Sequence, residues 1–164
     1  MKMEKSTSII SALFVAASIL VGNTQAGAQQ TKVEKEISTI NTEFISYVNT
    51  QNNKGVLSEY SIAVKSINPD GSVNDYQGIS AGLTKAFRYV KLLKYSKAKE
   101  EFKVLSPTLV LCTWTGTVEI ELKSGQRMTN YPHVASLLYS KMNGNWKIVY
   151  EHVSEAAPKM LTNQ

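Results

Sequence analysis

The sequence predicts an α+β domain: helices first, then a curved antiparallel sheet of long strands wrapped round them. Three observations predict it. Apolar residues recur at steps of three or four through the first half, and the period falls to two from Lys94 to the end. Two compact turn signals, Ser124-Gly125 and Asn143-Gly144, divide the second half into long strands. No repeat, low-complexity tract or linker separates the halves, so one domain holds both.

The first 28 residues are read as a leader outside the fold. A short charged stretch, MKMEKSTS, precedes an apolar run of 13 residues and then Ala26-Gly27-Ala28, the pattern of a secretory signal peptide cut after Ala26 or Ala28. The run is too short to span a bilayer comfortably. The expected product is exported, periplasmic or secreted, with no membrane span after processing. Residues 29–164 form the single domain, with its core at about 33–155. Removing Lys2, Lys5 and Glu4 leaves 16 basic against 12 acidic residues, a net charge of +4.

Within that domain, Val33, Ile37, Ile40, Phe44 and Val48 mark a long amphipathic helix, with Thr31 and Glu34 at capping-box spacing before it. It fades at Asn52-Asn53-Lys54-Gly55, and VLSEY suggests a short second helix. SIAVKSI and SVNDYQ flank Asn68-Pro69-Asp70-Gly71, a hairpin turn signal. Ile79, Leu83, Phe87 and Val90 then form the stripe of a third helix. Four strands follow, at about 94–105, 108–123, 126–142 and 145–154. Lys91, Lys94, Lys97, Lys99 and Lys103 gather near the first of these. Lysines suit an exposed edge strand, and without interleaved aromatics the run gives no reason to expect nucleic acid. Cys112 is alone within LVLCTW and reads as a small buried hydrophobe.

Two-residue loops at both turns would fix the register. Trp114 then faces Ala135, Gly116 faces His133 and Val118 faces Tyr131; Tyr139 faces Ile148, Leu137 faces Tyr150, Ala135 faces His152 and His133 faces Ser154. Directly opposed residues share a face. The inner face therefore carries Trp114, Tyr131, His133, Tyr139, Trp146, Tyr150, His152 and Ser154. The outer face carries Glu119, Glu121, Glu151 and Val153. An apolar wall with a few convergent polar groups is the pattern of a small-molecule cavity.

The residues also resemble the SnoaL-like and nuclear-transport-factor-2-like superfamily. The likeness is carried by TEFISYVNTQNNKGVLSEY, by Tyr76-Gln77-Gly78 at the start of the third helix, by EFKVLSPTLVLCTWTG, and above all by NGNWKIVYEHVS. The resemblance implies a cone-shaped α+β barrel with an internal cavity and commonly a homodimer through the outer face of the sheet. It does not imply one activity. Its members include isomerases, cyclases, dehydratases and binding proteins.

Together these readings make the first expectation an exported protein that binds a small, largely apolar molecule. The alternatives are an isomerase, cyclase or dehydratase with a cavity histidine as base, or a dimeric interaction module. The candidate catalytic residues are His152 and His133. The candidate ligand-binding residues are Trp114, Tyr131, Tyr139, Tyr150, Ser154 and Tyr60. Two histidines without an inward carboxylate do not make a zinc site, and no phosphate-cradling glycine loop, dinucleotide fingerprint or G-x-S-x-G elbow is present, so no cofactor is expected.

Overall fold

The computed structural model describes the backbone of residues 8–155 and the side chains of 29–129 and 132–155. The charged start of the expected leader and the side chains of its apolar run lie outside the described residues. Helix α1 (Ser8–Asn49) is followed by α2 (Asn53–Ser58), β1 (Tyr60–Ile67), β2 (Val73–Asn74), α3 (Tyr76–Tyr89), β3 (Val90–Ser106), β4 (Leu109–Leu122), β5 (Arg127–Met142) and β6 (Asn145–Glu155). The strands form one sheet in the order β2-β1-β6-β5-β4-β3. It is antiparallel throughout except where β1 runs parallel to β6. The hairpin that follows α2 brings β1 onto the free edge of β6. Among the described residues, no helix is long and apolar enough to cross a membrane.

Helix α1 packs along the sheet through Val33, Ile37 and Val48, with Ile40 and Phe44 beside them, as the stripe predicts. Its start does not follow the capping box. The helix is continuous through Thr31, whose hydroxyl donates to the Gly27 carbonyl at 3.0 Å, while Glu34 accepts from Gln30. A capping side chain needs a free backbone N–H, and a continuous helix leaves none at its interior positions. The actual caps are Asn52 for α2 and Asp75 for α3, whose side chains accept from Gly55 N and Gly78 N. At the other end of the cone Glu36 ties α1 to the last hairpin. Its carboxylate accepts from Trp146 Nε1 at 2.8 Å and from Lys141 Nζ at 3.2 Å, and the Lys141 ammonium stands 5.2 Å from the Trp146 ring.

Strand β3 is the edge of the sheet, and its lysines are solvated partners of acidic neighbours: Lys91 with Glu121, Lys97 with Glu100, Lys99 with Glu101. Cys112 is fully buried, and that burial pushes its thiol up to about 12. It is inert core, as its apolar run suggested.

The two hairpins of the meander differ from the simple register in separate ways. Leu122 N donates to Gln126 O and Gly125 N to Leu122 O, so the first loop has three residues, 123–125, with Gly125 at φ 90°. Strand β5 then holds one extra residue between Met128 and Tyr131, and from there the pairs are as expected: Val118 with Tyr131, Gly116 with His133, Trp114 with Ala135. The second turn is as read, with Asn143 at φ 51° and Gly144 at φ 83°. The pairing starts in the expected register, Tyr139 with Ile148, and then shifts. Leu138 pairs with Tyr150, Leu137 with Glu151, Ser136 with His152, Ala135 with Val153, Val134 with Ser154 and His133 with Glu155. Val149 is the extra residue. Because side chains alternate with a period of two, one inserted residue turns every later side chain of β6 to the opposite face.

Candidate functional site

The shift at Val149 decides which groups face the interior. Glu151, Val153 and Glu155 lie on the wall that Leu137, Ala135 and His133 continue, while Tyr150, His152 and Ser154 lie on the outer face. His152 and Ser154 are exposed. The expected pairings of Ala135 with His152 and His133 with Ser154 are therefore corrected, and so is the outer placement of Glu151 and Val153. Of the two histidines, only His133 faces inward.

The cone encloses a cavity of about 300 Å³. Phe44 of α1 and Ile79, Leu83 and Phe87 of α3 give it apolar walls, and Tyr60, Tyr95, His133, Glu151 and Glu155 give it polar ones. A smaller chamber of about 40 Å³ continues inward past Trp114, Ala135 and Asn41, and shares Phe44, Tyr95, His133 and Glu151 with the larger one.

His133 is buried, with 7% of its surface exposed. Its Nδ1 lies 2.8 Å from Glu155 Oε1. Tyr95 and Trp114 meet its ring edge to face at centroid distances of 5.0 and 5.4 Å. Gly116, opposite His133, is required by close approach. A Cβ there would stand 2.2 Å from the Ser96 carbonyl oxygen and 2.7 Å from the Trp114 ring. The space over Gly116 is taken by that ring. Ala135 does border open volume. Trp114 Nε1 is buried with no hydrogen-bond partner.

A carboxylate bonded to Nδ1 holds the proton on that nitrogen and leaves the lone pair of Nε2 as the basic site. His133 and Glu155 therefore have the parts of a general base and the group that orients it.

Glu151 has different surroundings. Ser66 Oγ donates to its Oε2 at 2.7 Å, and the Tyr60 hydroxyl lies 3.1 Å from both carboxyl oxygens. The residue is partly exposed as a whole, but its carboxyl group is enclosed. Burial pushes this carboxyl above the usual carboxylate range. The hydrogen bonds from Ser66 and Tyr60 and the nearness of His133 oppose the shift only in part. Tyr60 is driven well up, first by burial and then by Glu151, so its phenol stays neutral.

The other sequence candidates fall into three groups. Tyr60 and Trp114 line the cavity. Tyr139 is fully buried in a network behind it, donating to Asn41 Oδ1 at 2.5 Å while Asn41 Nδ2 donates to Cys112 Sγ at 3.4 Å. Tyr150 sits on the outer face with His152 and Ser154, and the Tyr131 side chain lies outside the described residues. Sequence reasoning missed Glu151, Glu155, Tyr95 and Ser66. Among the described residues, no three His, Cys, Asp or Glu side chains gather as metal ligands.

No family model matches the sequence, and no curated protein matches it by sequence. Solved structures do match by shape. A hexachlorocyclohexane dehydrochlorinase, LinA type 2, superposes with a TM-score of 0.75 at 10% identity over 84% of this chain and 95% of that one. A candidate scytalone dehydratase from Novosphingobium aromaticivorans gives 0.74 at 6% identity over 84% and 93%. An NTF2-like protein of unknown function from Pseudomonas putida gives 0.66 at 14% identity over 82% and 98%. At these identities the likeness shows the fold, and the chain has the SnoaL-like, nuclear-transport-factor-2-like cone.

Proposed function

We propose that this cone takes up a small, largely apolar molecule and that His133, oriented by Glu155, removes a proton from a carbon beside a carbonyl in it. The observation that carries the reading is the His133 Nδ1–Glu155 pair at 2.8 Å on the cavity wall. An imidazole has the right basicity for such a step near neutral pH. The aromatic and aliphatic walls suit an apolar ring. The fold neighbours named as a dehydrochlorinase and a candidate dehydratase support the reaction class by analogy of fold alone.

Export and pairing through the outer sheet face belong to the same proposal. The former rests on the charged, apolar and A-x-A pattern of the first 28 residues. The latter rests on the exposure of Val134 among the outer residues of β5.

The test of the base is solvent exchange. A panel of small cyclic ketones is incubated with the protein in D₂O, and deuterium uptake at the carbon beside the carbonyl is followed by NMR. Uptake is expected with the wild type and lost with His133→Gln, while far-ultraviolet circular dichroism shows an unchanged fold. A ketone that binds and takes up no deuterium with the wild type would refute the reading.

A further inference from the structure

Helix α3 forms one wall of the cavity although none of its residues is buried. Its inward row holds Gly78, Ile79, Gly82, Leu83, Ala86 and Phe87. The large members of that row are half-buried, whereas Gly82 and Ala86 are exposed. Of the described residues that line the cavity, those two and Pro69 of the β1–β2 turn are the exposed ones. A residue that borders the cavity and also meets solvent stands at its opening. The mouth therefore lies along the Gly82–Ala86 edge of α3, and the buried His133 and Tyr60 lie within.

Glycine at position 82 has no local reason. It sits inside a helix of 14 residues, where glycine is the least favourable residue after proline. Its backbone does not need the freedom, since the positive-φ glycines are Gly71, Gly125 and Gly144. Packing does not demand it either. The other glycines within the helices and strands of residues 29–164 each meet a close neighbour where a Cβ would stand. Gly55 meets the Tyr47 ring, Gly78 meets Asn74 Oδ1 at 2.8 Å, and Gly116 meets the Ser96 carbonyl. At Gly82 a Cβ would meet no described atom within 4 Å. What a side chain there would fill is the opening of the cavity. Gly82 thus weakens its helix and returns only open volume, which is how a site gives up stability for room.

We propose that Gly82 determines the size specificity of this site: the bound molecule reaches from the His133 wall to the mouth, and its outer end lies against the bare α3 backbone at Gly82. Pro69 and Ala86, the other two residues at the opening, are apolar. The outer end of the molecule is therefore hydrocarbon, and the ligand class is an apolar ring compound extended on the side away from its polar group. This rests on the reading of the cavity as the place where a small apolar molecule binds, and not on His133 being the base.

The probes are cyclohexanone and 2-decalone, ketones that share one ring and differ by a second. Quenching of tryptophan fluorescence reads their binding, because Trp114 lines the inner chamber. The wild type should bind both. Gly82→Leu should weaken 2-decalone about ten-fold or more, the scale of a methylene misfit in an apolar pocket, and leave cyclohexanone unchanged. Gly82→Ala should raise the denaturation midpoint, because alanine restores helix propensity at an open position, and should weaken 2-decalone by less than Gly82→Leu does. If Gly82→Leu does not fold, Gly82→Met, a flexible helix former, takes its place.

Equal 2-decalone affinity in the wild type and the folded large variant overturns the proposal and leaves the cavity reading intact. Equal losses for both ketones also overturn it, since they would mark Gly82 as a flexible point of α3 and not a limit on size. So does a wild type that binds cyclohexanone but not 2-decalone. An alanine variant less stable than the wild type overturns it too, because packing would then require the glycine. A wild type that binds neither ketone overturns the proposal and the cavity reading together. Deuterium uptake does not enter, so these affinities decide the matter whether or not His133 is the base.

Discussion

The two hairpins that build the inner wall place their extra residue at different distances from the turn. In the β4–β5 hairpin it sits just beyond the loop, between Met128 and Tyr131, where it offsets a loop one residue longer than the minimum. The two irregularities cancel, and His133 faces inward as a plain hairpin would have it. In the β5–β6 hairpin the turn is regular and the extra residue, Val149, lies mid-strand. Nothing offsets it. A bulge near a turn adjusts the pairing locally, whereas a bulge in mid-strand decides which chemistry enters the cavity.

The sharpest test of this comparison is to delete Val149. The pairs Leu138 with Tyr150, Leu137 with Glu151 and His133 with Glu155 would then follow Tyr139 with Ile148 in unbroken alternation, so Glu151 and Glu155 stay inside and His152 and Ser154 stay out. The deletion variant should fold and keep deuterium uptake by cyclic ketones. A folded deletion variant that no longer exchanges deuterium would mean that Val149 is not the residue that sets the faces.

A substitution in the other hairpin should act by a different route. Gly116→Ala puts a methyl 2.2 Å from the Ser96 carbonyl, so β3 and β4 must separate at that point. Overpacking of this kind destabilises by about 1–3 kcal/mol. The measurement is again a denaturation curve. An unchanged midpoint would show that the edge strand yields at no cost.

This contrast also explains which parts of the molecule could be read from its sequence. Helix stripes such as Val33–Ile37–Phe44 and the turn at Asn143-Gly144 are local signals, because period and left-handed φ are dictated by a few adjacent residues. Inward placement of Trp114, His133 and Tyr139 followed correctly from turn and alternation. Glu151 and Glu155 did not, since no residue near Val149 announces a bulge: WKIVYEH alternates smoothly, and the shift is set by how β6 meets both β5 and the parallel β1. Asn41 was missed for a related reason, being a polar residue on an apolar stripe whose partners, Tyr139 and Cys112, are remote in sequence.

Two carboxyls should reveal themselves by opposite pH dependence. Glu151 is raised on folding, chiefly by burial. The folded state holds its proton after the unfolded state has lost it, so stability falls as pH rises from the ordinary glutamate value toward the raised one. Glu36 is lowered, first by the Trp146 hydrogen bond and then by Lys141. Its stabilisation is present above the unfolded value and is lost as pH falls through the folded one. Denaturation midpoints measured across pH should therefore lose the decline between the ordinary and the raised glutamate value in Glu151→Gln, and part of their acid-side decline in Glu36→Gln. Parallel curves for Glu151→Gln and the wild type would mean that Glu151 is ionised in the folded state.

The smallest expected effect separates the two histidines most sharply. His152 is exposed on the outer face, opposite Ser136, with no role in the cavity wall. Exposed substitutions away from caps, turns and networks change stability by about 0.5 kcal/mol or less, so His152→Ala should melt with the wild type and leave deuterium uptake by cyclic ketones unchanged. His133→Ala removes a buried ring packed between Tyr95 and Trp114 and with it the Nδ1 contact to Glu155. It should destabilise the protein measurably and end exchange. If instead His152→Ala abolished exchange, β6 would have to pair with β5 in the unshifted register in solution, with Val149 no longer extra and the Glu151–Tyr60–Ser66 contact absent.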